Sequence, residues 1–101
     1  MKRIAIAAEE GFAVLATTSR SQAASMVLAP GESTGGPDNR HAGSDQWLFV
    51  IAGRGSAQVE GQRIPLQPGI LLLIEAGEAH EITNESSEPL VSVNIYAPPE
   101  Y

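Results

Sequence analysis

Two glycine-bounded segments, residues 39–53 and 69–84, constrain the fold more than any other feature of this chain. Together they hold both histidines of the sequence, His41 and His80. In each segment the histidine lies near turn-forming residues and close to an apolar run with the length of a β-strand. A closed β-sheet can bring such strand ends to one point, and a neutral imidazole is a good ligand for divalent metals. The pair therefore predicts a metal site inside a β-barrel.

The first segment has a characteristic spacing. It reads Asn39, one residue, His41, four residues, Gln46, six residues and Gly53. This resembles the first motif of the cupins, which has histidine in the Asn39 and His41 slots and glutamate in the Gln46 slot. Two of the ligand positions of that motif are altered in this sequence.

The second segment completes the resemblance. At the intervals of the second cupin motif stand Gly69, Glu75, Gly77, His80 and Asn84, with Glu75 in place of the usual proline. The chain is thus similar to a small single-domain cupin. The resemblance implies an all-β fold, the cupin-type double-stranded β-helix or jelly-roll barrel, as a single domain over residues 1–101.

The resemblance also implies a ligand set for a divalent ion such as Zn, Fe, Ni or Mn. Its members are His41, Gln46, His80 and Asn39. Glutamine can bind through its carbonyl oxygen, as in small cupins that resemble the uronate-linearising enzymes of pectin breakdown. Since the set has no carboxylate, a bound ion keeps its full charge.

Other interpretations of these residues stay open at this point. With asparagine in the first slot, metal affinity is expected to fall unless Asp38, Asp45 or an anionic substrate completes the shell. A single histidine in a polar loop is more often a surface residue than a ligand. Gln46 could instead hydrogen-bond a neighbouring strand.

Alternating and apolar runs predict the remaining strands. We expect strands at 12–17, 23–29, 46–52, 56–60, 63–66, 70–74 and 90–97, an irregular loop at 31–43 and a hairpin tip at 61–62. The run 70–74 does not alternate, which indicates either burial on both faces or a dimer contact. Trp47 and Phe49 share a face opposite Gln46, so packing between sheets or between subunits is expected for them. This excess of apolar surface predicts a C2 homodimer.

The last strand offers a catalytic candidate. Asn94 and Tyr96 lie two residues apart and can both line the pocket, with Tyr96 as a proton donor. The alternate face carries Val93 and Ile95, and the sequence does not decide which face is buried. Asn84 shares a face with His80 and is expected to support it. An acidic cluster is expected to be a solvated rim, with a general base as the alternative: Glu75, Glu78 and Glu81.

Composition narrows the choice of partners. The net charge is -6, so binding to nucleic acid or to anionic membranes is not expected. The chain has no cysteine, which leaves only nitrogen and oxygen ligands for a metal. The Lys2-Arg3 start resembles a signal peptide, but acidic residues interrupt its apolar run early, so a cytoplasmic location is expected.

Two classes of function remain from sequence. The first is a metal-dependent enzyme, isomerase-like or lyase-like, acting on a small oxygen-rich or sugar-derived substrate. The alternative is a non-catalytic cupin that binds or senses a small ligand or a metal. A purely structural dimeric barrel is a third possibility.

Overall fold

The computed structural model describes residues 1–7, 9–36 and 39–101, and within these ranges the chain is all β. The strands, in chain order, are β1 (Gly11–Thr17), β2 (Gln22–Leu28), β3 (Ser33–Thr34), β4 (Asp45–Ala52), β5 (Gly55–Val59), β6 (Gln62–Leu66), β7 (Leu71–Ile74), β8 (His80–Thr83) and β9 (Leu90–Ala97). In these ranges no helix is long and apolar enough to span a membrane. The strands predicted from sequence are confirmed, with ends shifted by one residue in most cases.

The strands form two antiparallel sheets that pack face to face. The five-stranded sheet has the order β1-β2-β9-β4-β7, and the four-stranded sheet has the order β3-β8-β5-β6. Between them lies the core of Met26, Leu28, Leu48, Val50, Ala57, Val59, Leu66, Ile74, Ile82 and Leu90. This two-sheet arrangement is the predicted double-stranded β-helix.

Strand register decides which side chains point into the barrel. Gln46 pairs with Tyr96, and Leu48 pairs with Asn94. All four are buried, whereas Trp47 is exposed. Because alternate residues of a strand face opposite sides, the buried face of β9 is the one that carries Asn94 and Tyr96. The question that the sequence left open is thereby answered.

The outer face of the five-stranded sheet corrects two expectations. Trp47 pairs with Leu73, and Phe49 pairs with Leu71. The outer apolar patch consists of these four residues and Ile51, and all five are between 38% and 58% exposed. The prediction that Trp47 and Phe49 pack between the sheets is therefore wrong. The prediction that β7 is buried on both faces is also wrong. The intersubunit alternative remains.

Two local predictions are also corrected. The loop predicted at 31–43 contains β3, which pairs with β8. The β5–β6 hairpin turns at Glu60 and Gly61, one residue earlier than predicted, and both have positive φ, 48° and 79°. Two consecutive residues with positive φ match the twist of the flanking strands in a tight hairpin, which explains the glycine.

Candidate functional site

A cavity of about 660 Å³ opens between the two sheets. Its wall includes all five residues that the sequence proposed for the site, namely Asn39, His41, Gln46, His80 and Tyr96. They come from the segment before β4, from β4 itself, from β8 and from β9. The barrel therefore gathers residues that are far apart in sequence around one volume.

Main-chain hydrogen bonds bring the two histidines together. The amide of His80 donates to the carbonyl of Asn39 over 2.8 Å, and the amide of Gly77 donates to the carbonyl of His41 over 2.9 Å. The imidazole centroids lie 4.9 Å apart. Since metal–imidazole bonds are about 2.0–2.1 Å long, rings that share an ion lie within about 6.5 Å of each other, centre to centre. The observed separation fits a shared ion.

Each imidazole has an acceptor at Nδ1. His41 Nδ1 lies 3.2 Å from the Glu100 carboxylate, and His80 Nδ1 lies 3.1 Å from the carbonyl of Glu78. Both contacts favour a proton on Nδ1 and a lone pair on Nε2, the arrangement that metal-binding histidines use. Burial also lowers the pKa of His80 below its ordinary value, against the opposing effect of the Glu78 carbonyl. The neutral, ligating form of His80 is thus favoured.

A chain of three hydrogen bonds fixes the amide of Gln46. Ser92 Oγ donates to the carbonyl of Met26, Asn94 Nδ2 donates to Ser92 Oγ, and Gln46 Nε2 donates to Asn94 Oδ1 over 2.9 Å. Because the Met26 carbonyl can only accept, the direction of every donor along this chain is set. Gln46 Oε1 is left buried and without a hydrogen-bond partner among the described residues.

An unpaired buried oxygen costs on the order of 1–3 kcal/mol, so a ligand for it is expected. A cation meets that requirement, and so does a proton donor on a bound molecule. The hydrogen-bonding interpretation of Gln46 is confirmed for its nitrogen, which bonds a neighbouring strand. Its oxygen remains available, and its role as a metal ligand stays a prediction. With the two imidazoles on the same cavity wall, the residues present fit a divalent metal.

The carboxylates near the motifs serve other purposes. Asp45 accepts from the amide of Ala76, and Glu78 accepts from the amide of Glu75. Neither Asp45 nor Glu75, Glu78 or Glu81 is among the described residues of the cavity wall. Asp38 lies outside the described residues. In the described ranges no three residues of the types His, Cys, Asp and Glu cluster as metal ligands, so a metal held by the two histidines would need further ligands of another type, such as the amide oxygens of Gln46 and Asn39.

Tyr96 is 2% exposed, and its ring meets that of His41 edge to face at 5.4 Å. Burial raises the pKa of Tyr96 well above the ordinary 10.0 of tyrosine. The hydroxyl therefore stays protonated at neutral pH. It can donate a proton or a hydrogen bond but cannot serve as a base.

Asn84 does not support His80, which corrects that expectation. It is buried directly after the end of β8, but its Nδ2 donates to the carbonyls of Leu28 and Glu88, and its Oδ1 accepts from Ser86. The fully buried Asn84 fixes the loop between β8 and β9.

The sequence reasoning missed the segment 98–101, which lies against the site. Gln22 Oε1 accepts from the amide of Tyr101, Gln22 Nε2 donates to its carbonyl, and Ser44 Oγ donates to the carbonyl of Pro98. These bonds place Glu100 beside His41 and the Tyr101 ring in the cavity wall. The segment begins with Pro98-Pro99, and its sequence carries no motif that indicates such a position.

The family of the protein follows from this fold and from comparison with known sequences. The family model for the cupin domain matches residues 24–96, and the chain belongs to that family. Cupin domains often bind metals. Three residues of the cavity wall stand at the cupin motif positions described above, namely His41, Gln46 and His80.

Individual relatives agree with this assignment. The BH2720 protein of Bacillus halodurans is 30% identical, with a TM-score of 0.86 over 91% of this chain and 73% of that one. KdgF from Halomonas sp. is 20% identical, with a TM-score of 0.78 over 87% and 77%, and shows the fold alone. The tetracenomycin polyketide synthase protein TcmJ of Streptomyces glaucescens is 34% identical over 63% of this chain. The match spans only 42% of TcmJ.

Proposed function

We propose that the protein binds a divalent metal, of the type Zn, Fe, Ni or Mn, and uses it to hold a small oxygen-donor molecule in the barrel. His41, His80 and Gln46 are the ligands that we assign, with Asn39 as the fourth. The observation that carries this proposal is the orphaned Gln46 oxygen on the same cavity wall as two imidazoles that lie 4.9 Å apart.

The neutral ligand set determines the chemistry. When bound, the ion would supply Lewis acidity to an oxygen of the ligand. No carboxylate offsets its charge, so an enolate or other anionic oxygen is favoured over a neutral one. Glu100 and the Glu78 carbonyl hold the imidazoles in the required tautomer.

Turnover requires a group that moves protons, and Tyr96 is the candidate in this cavity. As an isomerase or lyase, the protein would use the Tyr96 hydroxyl as the proton donor to a bound enolate. The raised pKa of Tyr96 keeps the hydroxyl protonated at neutral pH, which opposes a role as a base.

The non-catalytic alternative, a cupin that binds or senses a ligand, has its own support. The carboxylates in the described cavity wall are Glu10 and Glu32, and Glu32 already accepts from the amide of Ala29 over 2.7 Å. This leaves Glu10, which is exposed, as the remaining candidate for a general base in the described wall. The two alternatives differ in whether a bound ligand is converted.

Metal analysis tests the proposal directly. Untagged protein is loaded with Zn²⁺ or Mn²⁺, passed through a desalting column and analysed by mass spectrometry of the metal. We expect one ion per chain, and loss of it in His41→Ala and His80→Ala. The control Gln58→Ala changes an exposed residue of β5 and retains the ion. Equal metal content in all four proteins would refute the proposal.

We also propose a C2 homodimer formed through the outer apolar patch. Four of the five patch residues pair across β4 and β7, and Ile51 follows on the same face of β4. Monomeric proteins seldom leave such a surface open, and a second copy offers a matching apolar face. The cytoplasmic location stays a prediction from sequence.

A further inference from the structure

The cavity changes from polar to apolar along the barrel. Gln46 and His80 stand at the starts of β4 and β8, and Tyr96 stands near the end of antiparallel β9. These groups form the polar end. The inward residue after His80 on β8 is Ile82, and Met26 in the later part of β2 lies in the same wall. A ligand that reaches the polar end with its oxygens therefore has apolar surface beside part of its body, although the same wall also carries Glu10, Glu32 and Thr34.

Aromatic rings extend this apolar wall. The Phe12 ring lies 4.8 Å from Tyr101 and 6.4 Å from Tyr96, centroid to centroid. Phe12 remains 43% exposed and Tyr101 60% exposed, although both line the cavity. Exposed ring faces beside a cavity are surfaces on which a flat apolar molecule packs.

The charges around the cavity oppose a second anionic group. None of the six lysines and arginines belongs to the cavity wall, whose described charged residues are Glu10 and Glu32. The nearest cation in sequence to His41 is Arg40, which donates to the carbonyl of Gly77 over 2.8 Å and lies 3.9 Å from Glu60. A phosphate or a free sugar carboxylate would find no cationic side chain here, because only the metal carries positive charge.

From these observations we infer the ligand class of the site. The ligand is a compact, largely apolar or aromatic molecule that offers one chelating pair of oxygens, such as a β-diketone or a hydroxylated aromatic ketone. Sugar phosphates and uronates are disfavoured, which narrows the sugar-derived substrates expected from sequence. The inference rests on the proposed function, because the metal is what holds the chelating oxygens.

Calorimetry on metal-loaded protein tests the ligand class. The probes are benzoylacetone, galacturonate and glucose-6-phosphate, each titrated into Zn²⁺-loaded and into metal-free protein. We expect benzoylacetone to bind loaded protein at least about tenfold more tightly than either galacturonate or glucose-6-phosphate, a difference of about 1.4 kcal/mol. Tighter binding of galacturonate or glucose-6-phosphate would overturn the ligand class while leaving the metal site intact.

Matched variants on β1 locate the apolar contact. Phe12→Ser removes the ring from the cavity wall, and we expect benzoylacetone affinity to fall about tenfold. The control Val14→Ser changes a residue of the same strand with similar exposure, 46%, that is not part of that wall. The affinity of Val14→Ser for benzoylacetone should stay within about twofold of that of the parent protein. Equal losses in both variants would contradict the inferred contact.

A third measurement separates the ligand class from the proposed function. Benzoylacetone that binds metal-free and loaded protein equally well would refute the metal-held chelate, and the proposed function with it. Glu10→Lys places a cation in the wall, and we expect it to raise glucose-6-phosphate affinity at least about threefold. No gain in this variant would contradict the argument from charge.

Discussion

Gln46 Nε2 donates to Asn94 Oδ1 over 2.9 Å, and this bond decides which end of the Gln46 amide is available for a ligand. Asn94 is itself held through Ser92 by a main-chain carbonyl. The residue that presents an oxygen is therefore oriented by partners on a neighbouring strand. Asn94 and Ser92 act as positioning residues in this proposal.

Replacing Asn94 should weaken the metal site without removing a ligand. Asn94→Leu frees the Gln46 amide to rotate, and we expect metal affinity to fall about 10–100-fold. Asn94→Asp still offers an acceptor to Gln46 Nε2 and should retain more affinity. Competition against a chromophoric chelator measures both values, with urea unfolding as a check on stability. Equal affinities for the parent and the leucine variant would contradict the role of the relay.

The buried His80 predicts a pH dependence of stability in metal-free protein. Its pKa is below 6.5 in the fold, so the unfolded chain takes up the proton first as pH falls. The contribution of His80 to stability is thus present above pH 6.5 and is lost below it. Urea unfolding on either side of this pH should show the loss in the parent and a smaller one in His80→Gln. An equal loss of unfolding free energy in the parent and in His80→Gln would show that groups other than His80 cause the pH dependence.

Tyr96 can be tested separately from the ligands. Tyr96→Phe should leave metal content unchanged, because the hydroxyl is not an assigned ligand. If the protein turns over its ligand, this variant should lose about 10²–10⁴-fold in turnover. Tyrosinate absorbance in the parent should appear only above pH 10, since the pKa of Tyr96 is raised by burial. Unchanged turnover in the phenylalanine variant would exclude the hydroxyl as the proton donor.

The outer apolar patch gives a prediction about assembly. Leu71 is 58% exposed within it, and Leu71→Glu places a charge where the second copy would pack. Sedimentation at micromolar concentration should show a dimer for the parent and a monomer for this variant. Gln58→Glu, on the exposed face of β5, should stay dimeric. A monomeric parent would refute the dimer.

Two glycines should respond differently to alanine. Gly53 has φ of 86°, and a Cβ there would collide with the carbonyl oxygen of Pro89. Gly53→Ala should therefore cost more than about 2 kcal/mol of unfolding free energy. Gly43 has open space around its Cβ position, so Gly43→Ala should change stability by less than about 0.5 kcal/mol. Thermal and urea unfolding compare the two.

The motif spacing correctly predicted the fold and the placement of the candidate residues around one cavity, because it encodes where strands start. The intervals around His41 and His80 place both at inward positions near one end of the barrel, and a turn at residues 42–43 brings Gln46 into phase with them. Because successive residues of a strand face opposite sides, the sequence correctly predicted that Gln46 and Trp47 lie on opposite faces of β4. These features depend on local periodicity, which is visible in one sequence.

Other parts of the site depend on contacts between distant segments. Glu100 reaches His41 only because Gln22 and Ser44 hold residues 98–101, and no local pattern indicates that pairing. For Asn84 the sequence correctly predicted a buried side chain but not its hydrogen-bond partners. These are the carbonyls of Leu28 and Glu88 rather than His80. The buried side of β9 could not be predicted because valine and isoleucine on the outer face are as apolar as a core.

The bonds from His80 to Asn39 and from Gly77 to His41 are made by main-chain atoms alone. Replacement of the side chain at position 39 can therefore alter what the cavity binds while the two rings keep their spacing. The same scaffold can accept new ligand chemistry at this position, including the asparagine found here where a histidine is usual, without rebuilding the rest of the cavity.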